Sequence, residues 1–127
     1  MNRIGHLLVS VVHKTADPAW ISAQGKISDQ RLQVDSHLAA SPKPVYGFTT
    51  LLGHLDQHAA SVADQKNLLD AHLVGTRSPL ADGERRLAWG VKLEQLSHGG
   101  SGIGPEAYSA LLDEFEAVRP IVQGNWT

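Results

Sequence analysis

The chain has no cysteine in its 127 residues. Disulfides, thiolate metal sites and a cysteine nucleophile are therefore excluded. Aromatic residues are few, with three tryptophans, two tyrosines and two phenylalanines, so each one carries unusual weight in any core or site. No strong charge of one sign is present: the formal net charge is −2, with acids and bases interspersed. Phosphate-backbone binding needs a basic stripe, so nucleic acid is not expected as a partner. Long apolar runs are lacking too. The longest near the start, Leu7 to Val12, is interrupted by Ser10, too short for a signal-peptide core or for the ~20 residues of a membrane span. The expectation is a soluble, cytoplasmic protein. Its length fits one domain, 1–127, able to bury a real core.

The punctuation that is present predicts a mainly α domain of about four helices with a short N-terminal β element. Leu7-Leu8-Val9-Ser10-Val11-Val12 is short and β-branched and reads as a strand or extended arm. Asp17-Pro18 marks a turn. Ser28 can cap a helix to about Ala40, with Leu32 and Ala39 on one face, and Ser41-Pro42-Lys43-Pro44 ends it. Residues 45–60 hold leucines at 51, 52 and 55 but also Gly47 and Gly53, and stay open between helical turn and loop. Ser61 caps a helix to about Val74, stopped by Gly75. Pro79 to Gly83 is a linker, and Asp82 caps a helix to about Ser97 before Gly99-Gly100. The last helix starts near Pro105, with Tyr108, Leu111, Leu112, Phe115 and Val118 at helical spacing.

Several spaced motifs share one pattern. VYGFTTLLG (Val45 to Gly53) is followed by QKNLLDAHLVG (Gln65 to Gly75), then by RLAWGVKLEQLSHGGSGI (Arg86 to Ile103), and finally by a helix closing on Arg119-Pro120-Ile121-Val122. Over roughly Ile21 to Val122 the chain resembles the N-terminal domain of the aromatic amino acid ammonia-lyases and aminomutases. The resemblance implies a helical domain of a larger enzyme that forms tetramers through long helices. It also implies an electrophilic methylidene-imidazolone (MIO) group, cyclised from Ala-Ser-Gly. No Ala-Ser-Gly stands in these 127 residues, so the expectation is an MIO-independent protein, not an ammonia-lyase, with no cofactor.

The tyrosine of the family's Tyr-Gly motif acts as acid/base, and the resemblance carries that role to Tyr46. A phenol donates a proton without help but needs a nearby cation, donor or dipole to serve as a base. The alternative for Tyr46 is a half-buried tyrosine with its hydroxyl in solvent. His72 matches the position lining the substrate side-chain pocket, where its near-neutral titration suits proton transfer. It also shares a helix face with Val62, Gln65 and Leu69, as a core-edge histidine would. Further substrate contacts fall on Phe48, Thr49, Leu52, Asn67 and Leu69. The loop departs from the family pattern, which has asparagine at Thr49, glycine at Leu51 and phenylalanine at Leu52. The lost glycine stiffens the loop and the leucines add apolar surface, so a larger, more apolar substrate is expected.

Other candidates are weaker. His54 and His58 are four apart but lack the glutamate of a His-Glu-x-x-His site, and Asp56 or Asp64 would have to complete a metal set; no metal is expected. Gly99-Gly100-Ser101-Gly102 lacks the lysine of a phosphate loop and reads as a tight helix connection with Ser101 as a cap. Arg85, Arg86 and Lys92 share a helix, with surface or interface salt bridges as the simplest role. Trp20, Trp89 and Trp126 read as core or interface anchors. Two functions follow. One is a small enzyme that uses Tyr46 and His72 to cyclise, eliminate or isomerise an activated apolar intermediate of polyketide- or peptide-derived bacterial metabolism. The other is an accessory subunit docked on a larger lyase or biosynthetic enzyme. A homo-oligomer is expected in either case, because amphipathic helices need partners.

Overall fold

The computed structural model describes residues 2–53, 58–71 and 80–117, apart from the side chains of Val62 and Leu69. Among the described residues five helices follow one another: α1 (Arg3–His13), α2 (Pro18–Ala40), α3 (Val62–Ala71), α4 (Asp82–Ser97) and α5 (Pro105–Ala117). The mainly α expectation holds. The N-terminal β element does not: Leu7 to Val12 lies inside α1. Asn2 caps this helix by accepting from the Gly5 N–H at 2.9 Å, and Lys14 ends it in the left-handed conformation at φ 57°. Helical phase explains the outcome. Leu7, Ser10 and Val11 fall on one side and pack inward, while Ile4, Leu8 and Val12, spaced four apart, stay exposed. Tertiary packing of that inner face overrides the β preference of valine.

The second helix starts ten residues before the expected Ser28. Pro18 occupies the first helical position, where its missing N–H is harmless. Asp17 accepts from the Ala19 N–H at 2.7 Å through Oδ1, which is the geometry of a cap rather than of an isolated turn. Ser28 is therefore interior to the helix. Leu32 and Ala39 are exposed, and the buried positions of α2 are Trp20, Ala23 and Ile27. Ser61 caps α3 as expected, in a reciprocal arrangement: its Oγ accepts from Asp64 N–H at 3.2 Å, and Asp64 Oδ2 accepts from Ser61 N–H at 2.9 Å. These Ser61 donors hold the Asp64 carboxyl below the usual range. For α4 the cap is Ala81, not Asp82, with Glu84 Oε2 accepting the Ala81 N–H at 2.8 Å. Asp82 instead accepts from the Arg85 guanidinium.

The chain divides into two compact units. The first, residues 1–33 with 79–127, holds the core of Trp20, Ala23, Ile27, Leu93, Leu96, Tyr108, Leu112 and Phe115, beside Ala16. Full burial of each of the larger side chains contributes ~1.5–3 kcal/mol. Trp20 and Phe115 meet edge to face, centroids 5.1 Å apart and planes at 88°. Gly90 lies against them: a Cβ there would come within 3.3 Å of Phe115 and 2.7 Å of Leu7. Arg86 is the main correction in this unit. It is buried, not a surface ion-pair residue. Its guanidinium donates to the Phe115 and Glu116 carbonyls at the end of α5 and lies 5.6 Å from the Phe115 ring centroid. Those last-turn carbonyls have no partner within their own helix, and a cation suits the negative helix end.

Gly99 and Gly100 connect α4 to α5 with φ near 80°. Gln30 of α2 accepts the Gly100 N–H at 2.8 Å, and Arg31 donates to the Gly102 carbonyl at 3.0 Å. A side chain at Gly99 would meet the Gln30 amide at 2.4 Å. The segment is thus a clamped connection. Ser101 accepts from Ile103 N–H at 3.2 Å, a local turn rather than the expected cap of α5.

Tyr108 is fully buried, and its hydroxyl donates to the Trp20 carbonyl at 2.9 Å. Burial, with the Glu94 carboxylate in support, pushes this phenol up to about 12. The unfolded chain ionises first, near 10, so it sheds its proton while the native state keeps one. Stability is expected to be undiminished by this group below pH ~10 and to fall between ~10 and ~12, by on the order of 1–3 kcal/mol. Denaturant melts across that range check it: Tyr108→Phe should flatten the decline, and an identical slope in both proteins would exclude the effect.

Candidate functional site

The second unit, residues 34–78, carries the tyrosine loop. Residues 46–49 form a turn, with Phe48 and Thr49 N–H groups donating to the Val45 carbonyl at 3.1 and 2.9 Å. Thr50 then bridges to Ala59, and Leu51 N–H donates to the His58 carbonyl at 3.0 Å. Two glycines take left-handed backbone, Gly47 at φ 75° and Gly53 at φ 65°, a conformation that side chains disfavour. They fold the loop so that its two ends meet. Tyr46 and Gly53 are brought together: the Gly53 N–H donates to the Tyr46 hydroxyl oxygen at 3.3 Å.

Tyr46 is 60% exposed, not half-buried. Phe48 and Leu52 are also exposed, and together they give the loop an apolar surface. Thr49 spends its hydroxyl on the loop itself, accepting from Val45 N–H at 2.8 Å. Gln65 of α3 donates its side-chain amide to the Phe48 carbonyl and so ties loop to helix. Asn67 is exposed on α3. Leu69 is on the same helix, but its side chain lies outside the description; His72 lies outside the described residues, as do His54, Asp56 and Trp126. The structure therefore unites Tyr46, Phe48, Thr49, Leu52 and Gln65 on one loop-and-helix surface. Asp64, considered as a metal ligand, is committed to Ser61. Among the described residues no group of three or more histidine or carboxylate side chains has metal-holding geometry. Among them, too, no helix is long and apolar enough to cross a membrane.

A second concavity lies within the first unit and has no signature in the sequence. A cleft of about 250 Å³ is lined by Arg3 and His6 of α1, Asp17 before α2, and Glu94 and His98 at the end of α4. Glu94 Oε1 lies 3.3 Å from His98 Nε2 and 3.8 Å from Arg3 Nε, and Asp17 Oδ2 lies 3.7 Å from His6 Nδ1. These residues are 3 to 95 positions apart in the chain, so only folding gathers them.

The sequence is similar to those of known proteins over most of its length. The family model for aromatic amino acid lyases matches residues 9–124. The chain is 37% identical to a histidine ammonia-lyase of Burkholderia multivorans, over 87% of this chain and 22% of that protein. It is 34% identical to one from Burkholderia ambifaria, over 93% of this chain and 25% of that protein, and 38% identical to one from Burkholderia vietnamiensis, over 67% and 18%. The chain belongs to the aromatic amino acid lyase family. It spans between a fifth and a quarter of the length of the first two of these relatives. No solved structure matches it.

Proposed function

We propose that this chain performs lyase-type chemistry in which Tyr46 moves the proton. The substrate is small, already activated and largely apolar, and it is eliminated, cyclised or isomerised without an electrophile formed from this chain. The observation that carries the reading is the setting of the phenol. Tyr46 projects from a glycine-folded loop, and its oxygen accepts the Gly53 N–H. A hydroxyl has one proton and two lone pairs. With one lone pair taken by the backbone, the O–H remains free to be donated to substrate. A phenol donates a proton without help, whereas base catalysis would need a nearby cation, donor or dipole. Phe48 and Leu52 offer the apolar surface for the substrate body. His72 belongs to this reading through the family resemblance, Asn67 and Leu69 as residues of the same segment, and a setting in bacterial specialised metabolism suits a substrate that arrives with its own electrophile. Substitution at Tyr46, argued in the Discussion, tests the reading.

The relatives' names favour a second reading, in which this segment contributes its tyrosine loop to ammonia elimination from histidine within a complete lyase. The residues that would cyclise to the MIO group are not among these 127. The 127-residue chain by itself is therefore expected to have its encoded mass, to lack MIO absorbance and to release no ammonia from histidine, phenylalanine or tyrosine. Intact-mass spectrometry showing dehydration of the polypeptide would refute this.

Self-association also belongs to the reading. Ile4, Leu8 and Val12 leave an apolar stripe on α1, and Trp89 with Leu80 leaves an apolar hollow beside α4. Contiguous apolar surface of this kind commonly marks contact sites. Light scattering at high micromolar concentration should report more than the monomer mass, and a monomer would rule the oligomer out.

A further inference from the structure

We propose that the cleft between the start of α1 and the end of α4 binds a small zwitterion of the α-amino acid type. Its ammonium group is held by Asp17 and Glu94 and its carboxylate by Arg3. The carboxylates are built into the fold. Glu94 Oε2 accepts the indole N–H of Trp20 at 2.8 Å, and that tryptophan has no exposure. Asp17 Oδ1 accepts the Ala19 N–H at 2.7 Å. One oxygen of each carboxylate is thus fixed, and the other faces a rim side chain, Glu94 Oε1 towards Arg3 and Asp17 Oδ2 towards His6. The exposures are graded: the side chains of Asp17 and Glu94 are 12% and 27% exposed, those of His6 and Arg3 54% and 72%. Carboxylates form the floor, and the Arg3 guanidinium and His6 imidazole the rim.

The existing pairs do not exhaust these groups. Arg3 to Glu94 at 3.8 Å and His6 to Asp17 at 3.7 Å are too long for hydrogen bonds. A polar atom placed between such partners forms bonds that the direct pair lacks. Arg3 also donates to the His98 ring, a contact it can trade for a carboxylate, with which a guanidinium makes paired bonds. Lys26 does not compete, because its Nζ is 2.7 Å from the His98 carbonyl. A ligand of one charge would leave either the floor or the rim without a partner. A zwitterion matches both, and the cleft volume of about 250 Å³ admits one. Arg3 and His6 precede residue 9, where the family match begins, while Asp17, Glu94 and His98 lie inside it, so the match does not contain the whole site. It lies in the unit that lacks Tyr46 and stands independently of the tyrosine reading.

The test is a titration of the full chain followed by the ring resonances of His6 and His98. The probes are L-alanine, propionate as the carboxylate alone and ethylamine as the ammonium alone. L-alanine should shift both rings saturably and bind at least about tenfold more tightly than either half, since each half forfeits a set of charge-assisted bonds. Arg3→Gln and Asp17→Asn should each weaken L-alanine about tenfold. Arg3 is exposed, and an asparagine oxygen preserves the bond to Ala19. Propionate or ethylamine matching L-alanine, no saturable shift, or unchanged affinity in either folded variant would overturn the proposal. Should Asp17→Asn fail to fold, Arg3→Gln and the three-probe comparison decide alone.

Discussion

Tyr46→Phe is expected to lower turnover on the true substrate by ~10²–10⁴, the usual value of positioned proton transfer. The substitution removes one hydroxyl from a side chain that is mostly in solvent. Among the described residues its structural cost is the bond from Gly53 N–H, long at 3.3 Å and exposed to water, so the fold should be intact. The ring's apolar contacts with substrate survive. The loss should therefore fall on kcat and leave KM nearly unchanged, as expected for an interaction made only in the transition state. The assay needs a substrate carrying its own leaving group or electrophile, followed with the chain alone. Equal kcat in the two folded proteins would retire the tyrosine mechanism. Activity that appears only with a second protein present would assign the chemistry to a larger assembly.

The largest effect on stability is expected at Trp20. Trp20→Ala removes a side chain with no exposure, its edge-to-face contact with Phe115 and the indole donor to Glu94 Oε2. Deleting a buried aromatic costs ~3–5 kcal/mol, because the cavity left behind closes only in part. In a domain of this size that lowers Tm by roughly ten degrees or more. Arg86 and Phe115 would not relieve the loss, since Arg86 is tied to the end of α5. Thermal melts followed by circular dichroism check it, and a drop of only a degree or two would show that Trp20 is not the centre of the core.

Helix punctuation was legible at some local signals, though not at Asp82 or Ser101. Ser61 with Asp64, and Pro105 before the Tyr108, Leu112, Phe115 series, act within a few residues, and α3 and α5 start where those residues predict. The other misreadings share one cause. Leu7 to Val12 is β-branched, and the choice of helix depends on Leu7 and Val11 finding the core, which no local pattern encodes. Asp17-Pro18 serves turns and helix starts equally, and the seventeen residues from Trp20 to Ser36 decide for the helix by continuing it. Arg86 looks like any helix-surface cation until α5 ends against it.

The sequence by itself determined the family, through motifs whose spacing survives without coordinates; for residues 45–60 it left helical turn and loop both open, and among the described ones the structure decided for the loop. The sequence also determined that the 127 residues do not contain the Ala-Ser-Gly precursor. Only the tertiary structure decided which charges are buried and which gather. Caps and turns are set by neighbours within about four residues. Burial is set by contacts between distant segments, such as Trp20 with Glu94 and Arg3 with His98. The direction each side chain faces, outward for Tyr46 on its loop and inward for Arg86 against the end of α5, follows from tertiary packing.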